Sequence, residues 1–192
     1  MKKSDSLLKL MGMRLNTIAL KIMSDKATIK RFFKSIDPES KYSIRTERNE
    51  GEYELPFFYG KKVKDLILEV DKLCDEKYKL IIYKTLDAKD SIMCGAVGRI
   101  GELVTVDYMI GPGTIRDMMK SRPLNVTSNP TTILQEIGKL PRAERDVLMV
   151  IVSNLLTKMR KEDNWIVEWS YYPYNCGVLK EKAVFWEIRD FK

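Results

Sequence analysis

The chain has 192 residues, a charged fraction of 32%, a net charge of +7 from 34 Lys and Arg against 27 Asp and Glu, and no histidine. This length supports one substantial core, and no apolar run approaches the roughly 20 residues that span a bilayer. Without histidine a conventional zinc site, a Cys-His nucleophile pair and a Ser-His-Asp triad each lack a required member, and Cys74, Cys94 and Cys176 are too few and too far apart for a disulfide framework. Chemistry is left to carboxylates, Lys, Arg, Tyr or a bound metal. The positive excess suits a polyanion such as a nucleotide or a nucleic acid, although a Lys-rich, heat-adapted surface has the same balance. The start of the chain, Lys2-Lys3-Ser4-Asp5-Ser6, lacks the apolar stretch of a secretory signal, so a cytoplasmic location without a membrane partner is expected.

Apolar residues at helical spacing predict a helix over Leu7–Met23, and Asp25 can cap a second through Ile29, Phe32 and Phe33. Tyr42–Thr46 reads as a strand that runs into the charged turn Glu47-Arg48-Asn49-Glu50-Gly51, the kind of loop that carries ligands. Leu55–Gly60 reads as an apolar loop, and Val63–Cys74 as an amphipathic helix over a sheet. Leu80–Lys84 is the clearest buried strand. Ile92–Val97 and Leu103–Ile110 follow as a hairpin turning at Gly98-Arg99-Ile100-Gly101. Gly111-Pro112-Gly113 then leads to a short helix capped by Thr114, whose amino end is a candidate anion site. Pro123 and Pro130 bracket an expected loop, Thr131 or Thr132 starts another helix, and Pro141 starts a longer one ending near Arg160. The chain is therefore expected to be α+β, a single compact domain over 1–192, with a helical segment 1–41 and a core 42–192 built on a central, mostly antiparallel sheet.

The last thirty residues carry the main candidate site. Ile166-Val167-Glu168-Trp169 and Phe185-Trp186-Glu187-Ile188-Arg189 read as neighbouring strands, with Asn175 and Gly177 marking the return. Alternation puts Glu187 and Arg189 on one face and Trp186 and Ile188 on the other. Two carboxylates with an arginine suit a cation and a phosphate; equally, such charges protect a sheet edge from aggregation. Arg45 can bind phosphate or pair with Glu47 or Glu50, Lys84 can approach a phosphate from its strand end, and Trp165, Trp169 and Trp186 can stack on a base or fill a core.

In order, Ile44-Arg45-Thr46, Phe57-Phe58-Tyr59-Gly60, the apolar strand 80–86, the hairpin 92–113, Val167-Glu168-Trp169 and Glu187-Ile188-Arg189-Asp190 resemble the ATP-grasp nucleotide-binding domain of phosphoenolpyruvate synthase and pyruvate phosphate dikinase. The resemblance covers about residues 42 to 190. It implies ATP and Mg²⁺ as cofactors, with Glu168 and Glu187 as metal ligands and Arg45, Lys84, Glu187 and Arg189 as nucleotide-binding groups. Ile166 stands where the family often has an acid, Asp190 stands in place of proline, and the expected lobe with a phosphate-binding lysine is absent or shortened. A partner chain or a second copy in a homodimer is a candidate source of that lobe. The implied activity is that of a reduced phosphotransferase or ligase, or of a non-catalytic remnant. The alternative is a basic nucleic-acid-binding or protein-interaction module on the same scaffold.

Overall fold

In this computed structural model, residues 2–18, 20–48, 55–75, 78–173 and 183–191 are described. The elements in chain order are α1 (Lys3–Gly12), β1 (Leu20–Met23), α2 (Lys26–Lys34), β2 (Lys41–Glu47), β3 (Phe57–Lys62), α3 (Val63–Asp75), β4 (Lys79–Lys84), β5 (Met93–Ile100), β6 (Leu103–Ile110), α4 (Ile115–Lys120), β7 (Leu124–Ser128), α5 (Ile133–Gly138), α6 (Arg142–Lys158), β8 (Asn164–Tyr171) and β9 (Ala183–Phe191). The composition is α+β, and all strand pairs among the described residues are antiparallel. The strands form two sheets rather than one, in the orders β1-β4-β2-β3 and β7-β6-β5-β8-β9. By contacts the chain divides into a unit of Lys3–Thr17 with Ala88–Lys192 and a unit of Ile18–Asp87.

The Ile18–Asp87 unit is one sheet backed by two helices. Ile44, Leu80 and Ile82 on one sheet face pack against Ile29 and Phe33 of α2 and Val63, Leu66, Val70 and Leu73 of α3. Asp25 caps α2 as its sequence predicts, accepting from the Thr28 N–H at 2.7 Å. Two expectations fail here. The helix predicted over Leu7–Met23 stops at Gly12, and Leu20–Met23 instead pairs with β4 from Leu20 opposite Tyr83 to Met23 opposite Leu80. A four-residue apolar run carries no period long enough to tell helix from strand, so tertiary pairing decides. Phe57 to Gly60 of the predicted loop instead belong to β3, which pairs with β2 across a register shift between Tyr42 and Ile44. Gly60, at φ +61°, supplies the left-handed residue this strand needs.

In the other unit the core lies on one face of the five-stranded sheet. Val97, Val104, Val106, Trp165, Val167, Trp169, Phe185 and Ile188 meet Ile133 and Ile137 of α5 and Leu148, Ile151, Val152 and Leu155 of α6. The β5–β6 turn lies beyond Ile100, because Gly98 and Arg99 remain paired with Thr105 and Val104. The loop expected between the prolines contains β7, whose Val126 sits opposite Val106. Pro123 and Pro130 flank that strand without entering its ladder, which is why reading them as loop brackets hid it.

The edge of β9 is covered by the start of the chain. Ser6 Oγ accepts the Ile188 N–H at 2.7 Å, and Phe185 N–H donates to the Asn16 carbonyl at 2.9 Å. Asn16 Nδ2 donates to the Ala183 carbonyl at 2.5 Å. Leu10 and Leu15 enter the same core as Ile188. An edge strand otherwise offers a row of unpaired N–H and C=O groups to any passing strand; here α1 and the segment after it occupy that row.

Candidate functional site: a charged row across the five-stranded sheet

Strand register sets the residues on the sheet face opposite the core. Asn125 pairs with Asp107, Asp107 with Ala96, Ala96 with Glu168, and Glu168 with Glu187. One row of side chains thus crosses all five strands and carries three carboxylates. The neighbouring row runs Thr127, Thr105, Gly98, Ile166 and Arg189. Glu168 and Glu187 are direct cross-strand partners, as their expected antiparallel pairing requires. Asp107 was missed in the sequence; its signal was the alternation Thr105, Asp107, Met109 on a strand whose Val104, Val106 and Tyr108 are buried. Asn125 Nδ2 donates to its carboxylate at 2.6 Å.

The expected alternation of β9 fails at one position. Between Glu168 and Trp169 the register shifts, so Trp169 faces Phe185 and Trp186 is left over as a bulge. The extra residue changes the face of the chain that follows it. Phe185 and Ile188 both reach the core, while Trp186 Nε1 donates to Ser170 Oγ at 2.9 Å. Trp186 is therefore not Ile188's companion, and the bulge lets an apolar strand deliver Glu187 and Arg189 to the open face. Trp165 and Trp169 are fully enclosed in the core, which leaves neither ring for a ligand. The connection containing Asn175, Gly177 and Cys176 lies outside the described residues, as do Asn49, Glu50 and Gly51 of the charged turn.

The two glutamates share cations. Arg189 Nε donates to Glu187 Oε1 at 2.8 Å, and Arg189 Nη2 donates to Glu168 Oε1 at 3.0 Å. Lys3, on the first residue of α1, forms an ion pair with Glu187 Oε2. Next along β9, Lys9 pairs with Asp190 at 2.7 Å. Burial alone would raise the Glu187 pKa, but the charge and hydrogen bond of Lys3 and then those of Arg189 outweigh it, and the carboxyl is held below the usual 4.5. Its hydrogen bond to Glu187 in turn raises the Arg189 pKa. A carboxyl whose pKa is lower folded than unfolded adds stability that is complete above the unfolded value and disappears as pH falls through the folded one. Urea midpoints of the wild type are therefore expected to drop on acidification below about pH 4.5. In Glu187→Gln part of that drop is expected to be missing and the midpoint at neutral pH to be lower; parallel curves for the two proteins would contradict this.

Arg45 and Lys84 belong to the four-stranded sheet. Arg45 lies over the Phe57 ring, 4.9 Å from its centroid, and Arg45 Nε reaches Tyr83 Oη at 3.4 Å. Phe57 and Tyr59, each about half exposed, lie 6.1 Å apart on the same strand. Lys84 is exposed at the end of β4 opposite Tyr42, in alternation with Leu80 and Ile82 and so on the helix-covered side. Arg45, opposite Ile81, is on the other face. The sheet does not bring this predicted pair together.

One other candidate is spent internally. Thr114 and Asp117 cap α4 reciprocally, so the expected anion site holds its own carboxylate. Burial first, then the Asp117 charge, pushes the Cys94 thiol up to about 11, which leaves it a neutral structural residue at physiological pH.

No protein-family model matches the chain, and no curated protein matches it. Among the solved structures similar in fold are three proteins. The Chryseobacterium gregarium RiPP-associated ATP-grasp ligase, in complex with ADP and a leader and core peptide, superposes with a TM-score of 0.54 at 12% identity, over 97% of this chain and 51% of its own. The ATP-grasp fold is this chain's fold. D-alanyl-alanine synthetase A from Vibrio cholerae gives a TM-score of 0.53 at 6% identity, over 98% of this chain and 55% of its own. The macrocyclase MdnC from Microcystis aeruginosa, bound with precursor peptide MdnA, gives 0.50 at 10% identity, over 97% and 52%. The chain spans about half the length of each of these three proteins.

Within the ATP-grasp fold, Glu168 and Glu187 were expected to ligate Mg²⁺. That ion takes six oxygens at about 2.1 Å in near-octahedral geometry, commonly with one or two carboxylates, phosphates and waters. Among the described residues no group of three or more His, Cys, Asp or Glu is close enough to hold a metal. Both oxygens of Glu187 and one of Glu168 face Arg189 or Lys3. A divalent cation would have to sit beside two fixed positive charges or displace them. A Mg²⁺ ion brought in with nucleotide phosphates would take these two carboxylates in exchange for their bonds to Arg189 and Lys3.

Proposed function

We propose that this ATP-grasp chain binds ATP at the Glu168, Glu187 and Arg189 end of the five-stranded sheet and belongs to a ligase-type, rather than phosphotransferase-type, system. The observation that carries the reading is the cross-strand register of Glu168 with Glu187, bridged by one half-exposed arginine on a bulged strand, in a chain with this fold. Arginine is suited to the role because its planar fork can bond carboxylate on one side and phosphate on the other. Arg45 and Lys84, in the other unit, are further nucleotide-binding candidates, each testable alone because they lie on opposite faces. Two of the similar structures hold peptides, one a precursor peptide and the other a leader and core peptide. A peptide is therefore the acceptor class to try first.

The test is thermal unfolding with and without ATP. A ligand that binds only the folded state adds about 2.7 kcal/mol at a hundred times its Kd, so saturating ATP is expected to raise Tm by several degrees, and Glu168→Ala to shrink the shift. An unchanged Tm at millimolar ATP, in both the presence and the absence of Mg²⁺, would contradict the reading.

A further inference from the structure

The two edges of the five-stranded sheet differ. Along β9 the outer backbone row is taken by Ser6 and Asn16. At the other edge, the backbone of β7 bonds only to β6 among the described residues. Edge strands are ordinarily closed to other chains by a lysine, a proline, a bulge or an inward charge within the strand. Leu124-Asn125-Val126-Thr127-Ser128 has none of these: its register with β6 is unbroken, and Pro123 and Pro130 stand outside it. All five residues are exposed or half-buried. Alternation puts Leu124 and Val126 on the core side and Asn125 and Thr127 on the other, so a strand laid alongside would meet an apolar row on one face and a polar row on the other.

We propose that the outer edge of β7 binds an acidic, extended peptide segment of another protein, which adds to the sheet as a sixth strand. Strand addition takes its affinity from main-chain hydrogen bonds and its selectivity from alternate side chains. Charge selects the acidic partner. From Met118 to Gln135 the chain contains no Asp or Glu, and Lys120 and Arg122, both exposed, stand just before the strand. Asp107, opposite Asn125 on β6, already accepts from Asn125 Nδ2 at 2.6 Å. A second copy of the chain fits this edge worse. Two-fold antiparallel pairing about Val126 would set Lys120 and Arg122 against Thr132 and Pro130, in a segment without an acid and on a molecule of the same net charge, +7. β7 is three strands from β8, about 14 Å at the usual strand spacing, so a peptide added there leaves the Glu168 end of the sheet open.

The test is fluorescence anisotropy with a labelled peptide of alternating valine and threonine and a glutamate at each end, titrated with the full chain at low salt and without ATP. It is repeated with a lysine-ended peptide, with two peptides N-methylated on alternate backbone nitrogens in opposite phase, and with the surface variant Lys120→Glu/Arg122→Glu. The glutamate-ended peptide is expected to bind, the charge-reversed variant to bind it about tenfold more weakly, and the lysine-ended peptide to bind the parent chain more weakly still. One methylated phase should abolish binding and the other leave it, because only alternate N–H groups of an added strand face the sheet. No binding, equal binding of the lysine-ended peptide, or full binding of both methylated peptides would overturn the inference. So would a dimer in light scattering that Thr127→Lys separates, since the edge would then belong to a second copy.

Discussion

Trp169→Ala is expected to cost about 3–5 kcal/mol of stability, the usual range for removing a large buried aromatic, read as a lower urea midpoint. Trp169 is fully buried on β8, opposite Gly95 and Phe185, and anchors the strand that carries Glu168. Its ring is seated directly on Gly95: a Cβ there would lie 2.7 Å from Trp169 Cζ2 and 2.3 Å from the Asp107 carbonyl oxygen. Gly95→Ala is therefore also strongly destabilising, and removing the tryptophan relieves only one of its two clashes. Trp169→Phe should be much milder than Trp169→Ala, because the buried indole N–H has no hydrogen-bond partner to lose. Equal losses for the phenylalanine and alanine variants would show that packing is not what Trp169 supplies.

Arg189→Ala is expected to reduce ATP affinity by at least about a hundredfold, the scale of losing a charge-assisted, bidentate phosphate contact. It also leaves Glu168 and Glu187 as direct cross-strand neighbours without the cation between them, and like charges directly opposite each other destabilise a sheet. The variant is thus expected to unfold more easily at neutral pH and to regain part of that difference in acid, where the carboxylates protonate. Arg189→Lys should not restore binding, since one ammonium cannot span both carboxylates and still offer a planar fork. A lysine variant that binds ATP as the parent does would mean that charge alone, rather than the bridging geometry, is required.

The legible parts of the fold are those where local pattern and tertiary placement agree. The Asp25 cap, the helix from Val63, the buried run Leu80–Lys84 and the hairpin strands follow from period, capping and β-branched content, and all appear. The strand at Leu20–Met23 did not show because it is short and shaped by a partner far away in sequence, and the strand at Leu124–Ser128 because Pro123 and Pro130 flank so short a run. β3 was hidden by Pro56 and Gly60, residues that usually mark loops but here begin and bend a strand. At the site, the pairing of Glu168 with Glu187 was readable from two apolar strands that each carry one acid. The ion pair of Lys3 with Glu187 was not. It depends on α1 packing along β9, a contact between opposite ends of the chain that no local pattern encodes. The bulge at Trp186 was equally hidden, since strict alternation is the default expectation for a strand and one extra residue reverses it.

The most direct test of the account is a crystal structure of the chain with a nonhydrolysable ATP analogue. The account predicts phosphate oxygens within hydrogen-bonding distance of the Arg189 guanidinium, with Glu168 and Glu187 still bonded to its other side. Phosphates bound elsewhere on the chain would contradict it.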